Sequence, residues 1–295
     1  MGIKTLEELA GGGEFQDDIT AIEPKIISDF LETTVRAQVY AESIVRVNRD
    51  LLTMRSRTID LPTFGSLSAT NVAEGYDMTG FLTSANYDKV TVGVSKVGLA
   101  FALTTETLET AGRDVIRDYL EESARAIADK KDIDLFTVLV AGASGAVFTI
   151  PSTDLTPAAE SAYIAVITAR NTVKKNKWKA TALVIKPDFE ASLLQDKRFT
   201  DASQYGDREP ILNGEIGKFA GLKVIVSLNL PAKYGTKTVH GFVVDPTRYA
   251  TEVIRRNLDV KRWEKPDTDR VDYYILHEYG AKVVNNLAAA AITAS

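Results

Sequence analysis

Val97-Gly98-Leu99-Ala100-Phe101-Ala102-Leu103-Thr104-Thr105-Glu106-Thr107-Leu108 changes character in mid-run. Up to Leu103 it reads as a strand, following a first strand at Lys89-Val90-Thr91-Val92-Gly93-Val94. Thr104 or Thr105 then offers a helix cap, with Glu106 close behind it. From there Leu108, Ile116, Leu120, Ile127, Ile133, Phe136 and Leu139 keep helical spacing to about Val140. About 36 residues at 1.5 Å each make a rod of roughly 54 Å. Gly112 softens the rod and Gly142 ends it. Such a helix in a chain of 295 residues spans the body as a spine. It lacks sustained heptads, which argues against a coiled coil.

Upstream, Thr58-Ile59-Asp60-Leu61 alternates as a strand does. Between Leu61 and Val92 lie about 30 residues with little core-forming character, punctuated by Gly65, Gly75 and Gly80. The pattern predicts a long two-stranded excursion. An isolated ribbon is marginal in water, so a partner surface is expected to support it. Further upstream, Pro24 opens a helical pattern of Ile27, Phe30, Leu31, Val35, Val39, Ile44 and Val47, predicted to run to about Leu51. Its apolar face can pack on its own core or on a neighbouring subunit. Residues 1–20 are polar and carry Gly11-Gly12-Gly13, which reads as a mobile arm.

Downstream, residues 141–157 read as a linker, followed by a helix over 158–175 and a strand over 182–185 that stops at Lys186-Pro187. A short helix at 188–195, a polar loop at 197–210, a tight turn setting a strand at 222–226, and a strand at 239–245 complete an α/β run. Residues 253–263 and 271–284 read as a long antiparallel hairpin around the charged turn 264–270. There is no internal repeat and no regular βαβ alternation, so the fold class is α+β.

Composition excludes much chemistry. Apolar residues are 45% and charged residues 25%, enough for a sizeable core. The net charge of −5 argues against nonspecific coating of nucleic acid. With no cysteine, disulfides, thiol catalysis and thiolate metal sites drop out. Neither a signal-peptide run nor a membrane span is expected. His240 and His277 are the two histidines, both within apparent strands and expected to be structural. Gly142-Ala143-Ser144-Gly145-Ala146 fails the nucleophile-elbow pattern at its last position. The glycines at 214, 217 and 221 have the wrong spacing for a dinucleotide loop and precede a strand rather than a helix. Acidic pairs such as Asp17-Asp18 and Glu121-Glu122 read as solvated faces, and the basic run 174–179 as a helix C-terminus.

The turn Lys261-Arg262-Trp263-Glu264-Lys265-Pro266-Asp267-Thr268-Asp269-Arg270 mixes four basic and three acidic residues. It is either a solvent-exposed tip or an ion-pair junction whose alternating signs set register between subunits.

The order of parts is arm and helix, β excursion, spine helix, α/β run, charged hairpin and C-terminal strand. This order, from about residue 20 to 292, resembles the major capsid proteins of tailed phages and related archaeal viruses, the Hong Kong 97 fold. Residues 97–108 look like that family's strand entering its spine helix. Gly214-Glu215-Ile216-Gly217-Lys218-Phe219-Ala220-Gly221-Leu222-Lys223-Val224 is similar to its G-x-I-G-x-x-x-G-x-x-V segment. The resemblance implies an N-terminal arm and helix at 1–54, an extended loop at 55–100 and a peripheral domain with the spine helix at 101–157. It places an axial domain at 158–253, with the peripheral hairpin and C-terminal strand at 254–295. It implies a shell protein without catalytic, cofactor or metal-binding residues.

The subunit-interface residues it points to are Arg57, Lys89, Lys261, Arg262, Glu264, Lys265, Asp267, Asp269 and Arg270. The expected partners are further copies in hexamers and pentamers of an icosahedral shell. A separate scaffolding protein, portal and decoration proteins, and packaged double-stranded DNA held by weak nonspecific contact are also implied, but no membrane. The expected location is the virion, after assembly in the host cytoplasm. Two alternatives are an encapsulin-like nanocompartment holding a cargo enzyme and an α/β enzyme working through carboxylates.

Overall fold

The structure is a computed structural model. It describes residues 39–64, 87–143, 147–150, 161–194 and 217–294 apart from position 236, with 31, 34–35, 71–72 and 74 as isolated positions. The glycine-rich arm, the tip of the β excursion and the polar loop at 197–210 lie outside the described residues.

The pivot read from sequence is present. Strand β4 (Ser95–Thr104) runs directly into helix α1 (Thr105–Gly142). Thr104 is the N-cap, its side chain accepting from the Thr107 amide, which satisfies one of the donors that a helix start leaves free. The helix has 38 residues, a rod of about 57 Å.

Two sheets flank this rod. The four-stranded sheet has the order β1-β11-β12-β4, with β1 (Arg46–Asn48), β11 (Ala250–Lys265) and β12 (Arg270–Val283). Its inner face, including Leu103, Val260, Val271, Tyr273 and Ile275, packs on Leu120, Ala124 and Ile127 of α1. Helical Leu31 and Val35 complete that core, so the N-terminal helix packs on its own chain.

The larger sheet runs β5-β13-β10-β6-β8-β7, with β9 (Lys233–Tyr234) pairing β10 alone. Its strands are β5 (Val147–Ile150), β6 (Ala182–Ile185), β7 (Lys218–Phe219), β8 (Leu222–Val226), β10 (Lys237–Val244) and β13 (Ala289–Ala294). One face packs Val184, Phe242, Val244 and Ala291 on Leu135, Phe136 and Leu139 of α1. The other packs Leu183, Val243 and Ile292 on α2 (Ser161–Lys175) and α3 (Pro187–Leu194). Helices on both faces explain why β6 is apolar throughout rather than alternating. α1 therefore belongs to both cores, its N-terminal half to one and its C-terminal half to the other.

Several expectations need correction. The helix expected to reach Leu51 is over by Tyr40; a 3-10 turn (Ala41–Ile44), β1 and a second 3-10 turn (Asp50–Leu52) replace it. The cause is tertiary: Asp132 of α1 accepts the amides of Tyr40 and Ala41, and β1 pairs in parallel with Thr251–Val253. The expected linker at 141–157 contains β5, parallel to β13. Both β5 and β13 join the larger sheet, although their segments were grouped with the spine and the hairpin. Ile133, one of the apolar residues at helical spacing, is 44% exposed because it lies on the outer side of α1.

Two turns show where backbone conformation decides. Ala220 and Gly221 both have positive φ, 49° and 77°, the geometry of a two-residue hairpin between β7 and β8. Lys177 follows α2 with φ 64°; its amide reaches Lys174 O at 2.9 Å and the Trp178 amide reaches Val173 O at 3.2 Å. That is a Schellman ending with lysine where glycine is favoured. Lys177→Gly is expected to raise unfolding free energy by about 0.5–1 kcal/mol in urea titration, the left-handed penalty being relieved. An unchanged or lowered midpoint would contradict this.

Candidate subunit interface

Strands β2 (Thr58–Phe64) and β3 (Tyr87–Gly93) pair antiparallel as a separate two-stranded ribbon. Its base is anchored: Val92 packs with Leu51 and Val253, beside Ile59, Leu61 and Val94. Lys282 on β12 donates to the Thr91 carbonyl at 3.1 Å. Gly280 lets β12 approach the Gly93 backbone so closely that any Cβ at 280 would collide with the Gly93 carbonyl oxygen. This seat sets the direction in which the ribbon leaves the body.

On the ribbon, Arg57 is exposed, and its carbonyl accepts the Val94 amide at 3.0 Å. Lys89 lies 2.8 Å from Asp60, whose other oxygen accepts from Thr91 at 2.5 Å. The Lys89 hydrogen bond first, then that of Thr91, holds the Asp60 carboxyl below its ordinary range.

At the hairpin tip the sequence charges sort into two groups. The larger group has partners within the chain. Arg262 pairs with Glu264 at 2.7 Å. Lys265 and Arg270 both bind Asp272, at 2.7 and 3.1 Å. The Lys265 hydrogen bond is the main reason that the Asp272 carboxyl is lowered and the Lys265 ammonium raised. Asp269, left-handed at φ 46°, accepts the Thr105 hydroxyl at 2.7 Å on its side chain and the Thr105 amide at 3.1 Å on its carbonyl. The tip is thereby docked on the first turn of α1. Underneath, Phe101 stacks on Tyr273 at 5.1 Å and on Tyr119 at 5.8 Å.

The smaller group points outward. Lys261 and Asp267 are exposed and, among the described residues, form no ion pair. Trp263 between them is 65% exposed. Sequence reasoning selected the charges and passed over Trp263; the available signal was a lone aromatic within a charged turn.

The histidines sit within strands, His240 beside the Phe189 ring at 5.9 Å and His277 beside Tyr279 at 5.0 Å. Among the described residues no cluster of three or more histidines or carboxylates is arranged for a metal ion, and no helix is long and apolar enough to cross a membrane.

A family model described as phage capsid protein matches residues 88–293. No curated protein matches the chain. Among solved structures, one from Mycobacterium phage Che8 is 19% identical, with 86% of this chain and 90% of that chain covered and a TM-score of 0.66. The capsid structure of cyanophage P-SCSP1u is 15% identical, with 85% and 86% covered and a TM-score of 0.73. The asymmetric unit of the bacteriophage PhiM1 mature capsid is 13% identical, with 87% of each chain covered and a TM-score of 0.66. At such identities these structures establish the fold.

Proposed function

The chain belongs to the phage capsid protein family, and from that premise we propose that it assembles through hexamers and pentamers into the icosahedral shell around a tailed virus's double-stranded DNA. It is a viral capsid protein with the Hong Kong 97-type α+β fold. The observation that carries the finer reading is the ribbon of β2 and β3: two strands projecting on an anchored base, a form that is marginal alone in water.

In this reading residues 55–94 are the extended loop lying over a neighbouring subunit, because the expected bounds of 55–100 include the start of β4, which is paired along β12 in the body. The spine helix and the hairpin of β11 and β12 build the periphery, with the hairpin tip near threefold junctions. Residues 158–249 form most of the axial domain, joined in the larger sheet by β5 and β13. Lys261, Trp263, Asp267 and Arg57 make contacts to other copies. Arg262, Glu264, Lys265, Asp269 and Arg270 hold the tip in shape. Lys89 stiffens the ribbon through Asp60. Scaffold, portal and decoration proteins act as separate partners, and assembly takes place in the host cytoplasm. The phage capsid family match favours a genome-holding shell over a cargo nanocompartment.

The experiment is negative-stain microscopy with size-exclusion light scattering. Wild type is expected to give closed shells, or rings of five and six. Lys261→Glu combined with Trp263→Ala should keep the wild-type circular dichroism and melting curve but form no shells, because both side chains are exposed. A variant assembling as well as wild type would remove the tip from the interface. A persistent wild-type monomer with scaffold supplied would end the shell reading.

A further inference from the structure

Residues 39–52 are held to the body by contacts converging on one stretch of α1. Asp132 accepts the Ala41 amide at 2.9 Å and the Tyr40 amide at 3.2 Å. Lys131 lies 3.2 Å from Glu42 of this segment and 2.8 Å from Glu252 of β11. Glu252 is fully buried and Lys131 only 3% exposed. In the backbone, Glu252 is paired with Val47 of β1, so the segment lies directly alongside it. Arg49 adds a more distant positive charge. From β12, the Tyr279 ring lies 5.9 Å from the Lys131 ammonium, and its hydroxyl donates to Asp134 at 2.9 Å. A buried and a half-buried carboxylate thus share one buried ammonium, and opening is resisted by three residues of β1 pairing together with Ala41, Ile44 and Val45 in the core against α1 and Leu51 beneath the ribbon.

We propose that residues 39–52 form a proton-controlled latch, shut when the Glu42–Lys131–Glu252 cluster holds an extra proton and loosened when that proton leaves. The closed state crowds two carboxylates, one of them fully buried, around a single buried ammonium, whereas opening frees Glu42 to full solvent and uncovers Glu252. Charge burial without full compensation is costly, and that cost subtracts directly from what the short β1 pairing and the buried apolar residues of the segment supply. Burial pushes the Glu252 carboxyl up, Lys131 partly offsets this, and Glu42 adds to the rise while Arg49 opposes it. The Asp132 carboxyl is also raised by burial, against the two amide hydrogen bonds. A carboxyl raised in the closed state contributes full stability below its ordinary range and loses it as pH climbs through the raised value. The latch therefore tightens in acid and loosens in base. This inference does not depend on the shell reading.

The test is hydrogen exchange of the full-length chain between about pH 4 and 8, a window that spans the ordinary carboxyl range and the raised one, followed by mass spectrometry and corrected for intrinsic rates. Peptides covering residues 41–52 are compared with a control in β10. Protection of residues 41–52 in wild type should fall about tenfold across this range, as one unit of carboxyl shift implies. In Glu252→Gln it should fall less than about threefold, with β10 unchanged in both. Wild-type protection that is flat or rises with pH overturns the proposal, as does a Glu252→Gln variant falling like wild type. If Glu252→Gln does not fold, Glu42→Gln at the cluster's edge decides: a reduced fall supports the latch, and an undiminished one overturns it.

Discussion

Gly280→Val is expected to abolish shell formation and to cost about 3 kcal/mol of stability, at the upper end of overpacking effects. The atoms an added Cβ would meet are backbone: the Gly93 carbonyl oxygen first, then the Gly93 carbonyl carbon at 3.0 Å and Val94 Cα at 3.1 Å. Backbone cannot rotate aside as a side chain can. Gly93 ends β3, and Val94 leads into β4, so relief requires the ribbon base to swing away from β12. Swinging would separate Val92 from Leu51 and Val253 and break the Lys282 bond to Thr91. The ribbon would then project in the wrong direction even if the two cores survived. Urea unfolding and negative-stain microscopy of the same preparation measure the two effects. A valine variant with wild-type stability and shells would show that the seat does not constrain the ribbon.

Lys131→Met is the second large effect, about 3–5 kcal/mol, because it removes the cation from an interior carboxylate instead of removing the pair. Among the described residues Glu252 would keep no ion-pair partner, and Glu42 would lose its own. The loss should depend on pH with a definite sign. With the ammonium gone, the Glu252 carboxyl, already raised by burial, is raised further. Its stabilising contribution is present below the ordinary carboxyl range and disappears as pH rises through the raised value. The deficit relative to wild type is thus expected to be smaller in urea melts at pH 5 than at pH 8. The double variant Lys131→Met/Glu252→Gln should recover most of the stability, since both buried charges are then absent. A deficit that is constant with pH, or no recovery in the double variant, would place the cost in packing around residue 131.

Much of the fold was legible because it rests on neighbours in sequence. The Thr104 cap and the α1 periodicity lie within a few residues of the bonds they make, and α1 ends where Gly142 suggested. Residues 253–263 and 271–284 around the charged turn were enough to mark the hairpin, which the structure extends back to Ala250. The candidate interface was only partly legible. Charges in the turn at 261–270 mark the tip, but sequence cannot say that Arg270 and Lys265 turn inward to Asp272 while Trp263 turns outward. Lys89 stood out as a lysine in a poor core-forming stretch; its partner Asp60 lies 29 residues away, across the ribbon.

Local propensity and periodicity therefore determined the spine, the hairpin, the apolar β6 and the absence of thiol chemistry. They act over a turn or a strand, and the chain writes them out in order. Tertiary structure alone decided that the N-terminal helix ends by Tyr40, since the groups stopping it belong to Asp132, more than ninety residues away. It also decided that the expected C-terminal strand, alanine-rich β13, joins the larger sheet rather than the hairpin. Ala289, Ala290 and Ala291 are buried between β10 and β5, where sheet pairing outweighs alanine's helical preference. Placing Glu252 beside Lys131 required closure of the four-stranded sheet over α1, because no local rule brings a carboxylate in a strand to a lysine 121 positions earlier.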